Sequence, residues 1–84
     1  MTKRNRKMSR LQKTEYVGNE LHIRLRRLYD NKVLNTYYQE IDGEETVTVR
    51  FKNGVKITVD VTGLLKAQIS KAVISALHEN YKEG

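Results

Sequence analysis

Residues 45–61 constrain the fold most, because Val47, Val49 and Phe51 alternate with polar residues, and Val55, Ile57, Val59 and Val61 do so again beyond Lys52-Asn53-Gly54. A period of two marks a strand with one buried face, so two such runs around a glycine-bearing turn predict a β-hairpin. Turn length sets its register. A two-residue Asn-Gly loop pairs Phe51 with Lys56 and Val49 with Thr58, which sends the two apolar sets to opposite faces. A three-residue loop pairs Phe51 with Val55, Val49 with Ile57 and Val47 with Val59, and so builds one apolar face. The second arrangement is expected, as a type I turn closed by a left-handed residue in a G1 bulge, with Gly54 able to sit there without strain. It sets Arg50 opposite Lys56 on the outward face, with Lys52 at the tip. Like charges opposed across a pair are mildly unfavourable, so the positive tip hints at an anionic partner reached by a β-ribbon.

A lone hairpin is not stable in water, and its apolar face needs a cover. Downstream, Thr62 can cap a helix of about 19 residues reaching Tyr81, with Leu65, Ile69, Ala72, Val73, Ala76 and Leu77 on its main apolar face. Ala67, Ile74 and Tyr81 lie round the cylinder, so the apolar surface is wider than one stripe and calls for cover by a first helix or a second subunit. Upstream, Asp42-Gly43 is a turn signal, and residues 33–41, rich in Val, Thr and Tyr, read as the first strand of a meander. Tyr37 and Tyr38 are adjacent, so in a strand one of them faces the surface.

Residues 9–29 read as an amphipathic helix, with Ser9 and Gln12 as a capping box and Leu11, Val17, Leu21, Leu25, Leu28 and Tyr29 on one arc of about 120°. Gly18-Asn19 interrupts it at a cost of about 1 kcal/mol, and Glu20 to Leu25 also alternates as a strand would, so a strand over 20–28 is the alternative. The expected fold is therefore α+β: an N-terminal basic helix, a three-stranded antiparallel β-meander, and a C-terminal helix packed on the sheet. The alternative is a four-stranded meander plus the C-terminal helix. With 84 residues there is one small domain, residues 9–84, preceded by a basic flexible arm over residues 1–8. So small a core makes self-association plausible, with a homodimer formed through the C-terminal helix or a sheet edge.

Charge is unevenly placed. Residues 1–29 carry nine Lys and Arg against Glu15 and Glu20, a local balance of +7, whereas residues 30–84 balance at −1. Lys3, Arg4, Arg6, Lys7, Arg10 and Lys13 are the expected phosphate grips, with Arg24, Arg26, Arg27, Arg50, Lys52 and Lys56 extending the surface. Tyr16 lies opposite the apolar arc near Arg27 and is the best base-stacking candidate.

The residues for catalysis are missing. There is no cysteine, and His22 and His78 lack any HxxxH, HxH or CxxC context, which argues against a metal site and against thiol chemistry. The five glycines have no phosphate-loop spacing, and the run Glu40, Asp42, Glu44, Glu45 reads as a solvated turn. No apolar stretch approaches the roughly 20 residues that span a bilayer, and the basic start is followed by no apolar signal region, so a cytoplasmic protein is expected. The expectation is a non-enzymatic DNA- or RNA-binding protein without cofactor. A small inhibitor or adaptor that docks on a larger protein is the rival reading.

Overall fold

A computed structural model describes residues 8–81. Lys3, Arg4, Arg6 and Lys7 lie outside the described residues. The element order is a helix, three strands and a helix, the α+β arrangement expected from the sequence. The alternative strand over 20–28 is not formed.

The first helix, α1, covers residues 10–28 in three segments: α-helical Arg10–Glu15, a π-helical Tyr16–Leu21, and α-helical His22–Leu28. Its start is the expected capping box, in which Ser9 Oγ accepts the Gln12 N–H at 3.1 Å and Gln12 Oε1 accepts the Ser9 N–H at 2.8 Å. The π-helical turn holds Gly18 and Asn19, and the Asn19 amide donates to the Glu15 carbonyl at 3.0 Å, helping to satisfy a backbone ladder that has changed its spacing. This turn decides which residues face the sheet. In a straight α-helix each step of four residues drifts by about 40°, but the wider turn absorbs an extra residue. Lys13, Val17, Leu21 and Leu25, at strict four-residue spacing, are therefore all buried. Leu11 and Leu28, expected on the apolar arc, are instead 66% and 55% exposed, because that arc assumed uniform winding.

Gly18 has a Cβ path with no heavy atom within 4 Å and a backbone outside the left-handed region. Gly18→Ala is thus expected to raise stability by about 0.5–1 kcal/mol, through helix propensity alone, as read by a higher urea midpoint at unchanged slope. A lower midpoint would show that the π turn needs glycine.

Asp30 and Asn31, with φ of 53° and 61°, end α1, and the chain enters β1, Val33–Ile41. Strands β2, Glu44–Phe51, and β3, Lys56–Asp60, complete an antiparallel sheet in the order β1-β2-β3. Asp42 and Gly43 form the two-residue turn between β1 and β2, both with positive φ as a type I′ hairpin requires. The β2-β3 hairpin has the expected three-residue loop: Val49 pairs with Ile57, Val47 with Val59 and Arg50 with Lys56. Phe51 N–H donates to the Val55 carbonyl at 2.8 Å, with Gly54 at φ +95°. An irregularity between Val33 and Asn35 shifts the β1-β2 register, so that Asn35 faces Arg50 and Tyr38 faces Val47.

The second helix, α2, runs over Lys66–Asn80, four residues shorter than expected. Thr62 does not cap it. Its hydroxyl donates to Asp60 Oδ1 at 2.7 Å and accepts the Glu45 N–H at 2.9 Å, tying the end of the sheet to its beginning. The Gln68 side chain instead accepts the Leu65 N–H at 3.0 Å at the helix start, and Leu65 is left 41% exposed.

Both helices lie on one face of the sheet. Val17, Leu21 and Leu25 of α1 and Ile69, Val73 and Leu77 of α2 enclose Val47, Val49 and Phe51 of β2, all within 2% of complete burial. Each such side chain contributes about 1.5–3 kcal/mol. The wide face of α2 is met by α1, which runs alongside it in the same direction: Glu20 pairs with Lys66 at 3.3 Å, and Arg24 donates to Ser70 Oγ at 3.1 Å one turn on. At the far end Tyr29, Phe51 and Tyr81 close the core, with Phe51 and Tyr81 stacked at 3.9 Å and Tyr29 edge-on to both.

Candidate nucleic-acid interface

The sheet face turned away from the helices is built by strand register. Residues paired across antiparallel strands share a face, so this face has successive cross-strand rows. The first is Asn35, Arg50 and Lys56; the second is Tyr37, Thr48 and Thr58; the third is Gln39, Thr46 and Asp60; and Ile41 pairs with Glu44 at the end. Charge thus passes from two cations, through an uncharged row, to carboxylates. Rows on one face stand about 7 Å apart, two residues along a strand. The middle row is knitted together, with Thr48 and Thr58 hydroxyls 3.1 Å apart and Thr48 only 4% exposed beside the half-buried Tyr37.

The cationic row continues round the end of the molecule. The Lys52 N–H donates to the Lys32 carbonyl at 2.8 Å, and the Asn31 N–H to the Arg26 carbonyl at 2.7 Å, so the hairpin tip is bonded to the loop leaving the last turn of α1. Arg26, Arg27, Arg50, Lys52 and Lys56 therefore collect at one end, all exposed, and none forms an ion pair among the described residues. The C-terminal dipole of α1 favours the two arginines where they stand.

The opposite end contradicts part of the expected set. Lys13 is no surface grip: it is 6% exposed, and its ammonium pairs with Glu45 Oε2 at 2.6 Å. Tyr38 donates its hydroxyl to the same carboxylate oxygen, and the Gly63 N–H reaches Glu45 Oε1 at 2.7 Å. Burial alone would raise the Glu45 carboxyl, but these three donors overturn it and hold the group at about 2. Burial first, then the bond to Glu45, pushes the Tyr38 phenol well above the usual tyrosine range. Glu45 is thus the centre of a buried polar cluster, not a solvated turn residue. Arg10 is exposed but lies 3.7 Å from Glu40 at this acidic end. Arg10 and the hairpin tip stand at opposite ends of α1, about 28 Å apart by its length.

Arg24 lies in the groove between the helices, apart from the sheet face. Tyr16, the stacking candidate, is half-buried in that groove with Lys66 Nζ 5.3 Å from its ring centre, so its face is occupied. Tyr37 is the aromatic on the sheet face, as the alternation of Tyr37 and Tyr38 allows. His22 bonds the Thr36 hydroxyl through Nδ1 at 2.9 Å, and burial, with Arg26 next, keeps its pKa below the ordinary value. Among the described residues, no group of three or more His, Asp or Glu is placed to hold a metal ion, and no helix is long and apolar enough to cross a membrane.

Asn35, Tyr37 and the threonine row were not anticipated as site residues. The pairing of Thr48 with Thr58 follows from the hairpin register, but β1 could not be aligned to it without knowing the irregularity at Val33 to Asn35. The chain matches no protein-family model, and neither the curated proteins nor the solved structures contain a significant match.

Proposed function

We propose that this protein binds nucleic acid through phosphate contacts and carries out no catalysis of its own. The observation that supports this reading is the cationic end, where Arg26, Arg27, Arg50, Lys52 and Lys56 stand exposed without carboxylate partners among the described residues. Five unpaired cations on a small domain create a potential that attracts a polyanion and releases its counterions on contact. Asn35 beside Arg50, with exposed Thr58 and half-buried Tyr37 in the next row, adds uncharged hydrogen-bonding groups and one aromatic side chain. The sheet is about 10 Å wide from β1 to β3, broader than the single strand or two-stranded ribbon that enters a groove, which suits contact with a backbone.

Fluorescence anisotropy with a labelled 20-base-pair duplex and the matching single strand, across about 50 to 300 mM salt, tests the reading. The duplex complex is expected to weaken with a log–log slope of about −4 or steeper, at roughly −0.9 per phosphate neutralised. No complex at the lowest salt sinks the function, and a flat salt dependence sinks the phosphate mechanism.

A further inference from the structure

The two helices leave a second surface, on the opposite side of the molecule from the open sheet face. Between α1 and α2 runs a trough of two adjoining hollows, about 560 and 850 Å³, which share Arg24 and Ala67. Its floor is low because the residues there are small: Ala67, and Ser70, whose hydroxyl is covered by the Arg24 guanidinium. Its walls are apolar side chains left in water, with Ile23 and Leu28 53% and 55% exposed and Ile74 half-buried. Its rims are cationic. Glu20 is matched by Lys66, whereas Arg24, Arg27 and Lys71 have no carboxylate partner among the described residues.

We infer that this trough is a docking site for an acidic amphipathic helix of about three turns supplied by a partner protein. The class of occupant follows from three features. The walls are helices whose backbone groups are bonded within themselves, so an extended peptide would find no strand edge to pair with; a helix brings its own backbone satisfied and needs only side-chain packing. The lining residues repeat at four-residue spacing, Glu20, Arg24 and Leu28 against Lys66, Ser70, Ile74 and His78, and such parallel ridges accept the ridges of a third helix. The stretch from Lys66 to His78 spans about 18 Å, which sets the length. Apolar walls beneath unmatched cations then ask for leucine-like residues along one face and Asp or Glu flanking them. This site shares Arg27 with the cationic end but no residue with the hairpin cations Arg50, Lys52 and Lys56.

The test uses the full chain and a synthetic helical peptide with leucines at i, i+3, i+4 and i+7 flanked by glutamates. One control has lysines for the glutamates and the other has serines for the leucines. The acidic amphipathic peptide is expected to bind at least roughly tenfold tighter than either control and to shift amide resonances of Ile23, Leu28, Ala67 and Ile74. Ala67→Glu and, separately, Lys71→Glu, both at exposed positions, are expected to weaken it by about tenfold or more, while R50A/K52A/K56A leaves it unchanged. The proposal is overturned if the serine control binds as well, if the shifts fall on the hairpin tip, or if the peptide does not bind. Vesicles containing phosphatidylserine form the last arm: groove shifts with vesicles and none with the peptide replace the partner helix by a membrane surface.

Discussion

Replacing Lys13 by methionine is expected to cost about 3–5 kcal/mol, enough to leave a domain of this size largely unfolded at room temperature. The methionine fills the same channel, so the loss is electrostatic. Glu45 remains sheltered among Tyr38, Thr62 and the Gly63 amide with its strongest counter-charge gone. A double variant Lys13→Met/Glu45→Gln is expected to recover more than half the loss, since the amide oxygen still accepts from the Gly63 N–H while its NH2 donates to the Tyr38 hydroxyl, and no charge is stranded. Urea unfolding followed by circular dichroism measures both. A loss under about 1 kcal/mol for the single variant would mean that Lys13 simply swings out to water, as an ordinary surface lysine does. The same cluster sets an acid limit. The Glu45 carboxyl is lowered from 4.5 to about 2 in the folded state, so its stabilisation is complete above pH 4.5 and is lost as pH falls towards 2. Glu45→Gln should lack that part of the acid slope.

Removing the hairpin cations together, as R50A/K52A/K56A, is expected to weaken duplex binding roughly 100-fold at 0.1 M salt and to reduce the salt slope by about 3. Stability should hold or rise by a few tenths of a kcal/mol, because the change also removes the like-charge opposition of Arg50 and Lys56 across the pair. Arg10→Ala is the informative contrast. Arg10 stands at the other end beside Glu40, and its loss should leave the complex nearly unchanged. A loss of roughly fivefold from Arg10→Ala, one third of the triple variant's loss on the logarithmic scale, would show that binding follows net charge and not the arrangement of the cationic end.

The readable parts of this chain were those decided by neighbours in sequence. The hairpin register followed from alternation and from one glycine placed where φ is +95°, and the Ser9-Gln12 cap needed only a three-residue span. β1 was legible through the Asp42-Gly43 turn that follows it more than through its own residues. The unreadable parts depended on contacts between distant residues. Lys13 looked like a surface cation because its partner, Glu45, comes from β2, 32 residues away. Leu11 and Leu28 looked buried because nothing local announced that Gly18 and Asn19 sit in a wider turn. Thr62 had the composition of a helix cap but was claimed by Asp60 and the Glu45 backbone. The candidate site was half legible for the same reason: the opposition of Arg50 and Lys56 could be read from the hairpin, whereas their meeting with Arg26 and Arg27 required the tertiary bond between the Lys52 N–H and the Lys32 carbonyl.

The grading of charge along the open sheet face has an effect that begins before any contact is made. With Arg50 and Lys56 at one end of the strands and Glu44 and Asp60 towards the other, the described sheet is a permanent dipole aligned with its own strands. In the field of a polyanion such a body feels a torque as well as an attraction, and within a Debye length, about 8 Å at physiological salt, it turns its cationic end forward. Collisions are thereby pre-sorted in orientation, and the carboxylates trail on the side that faces solvent.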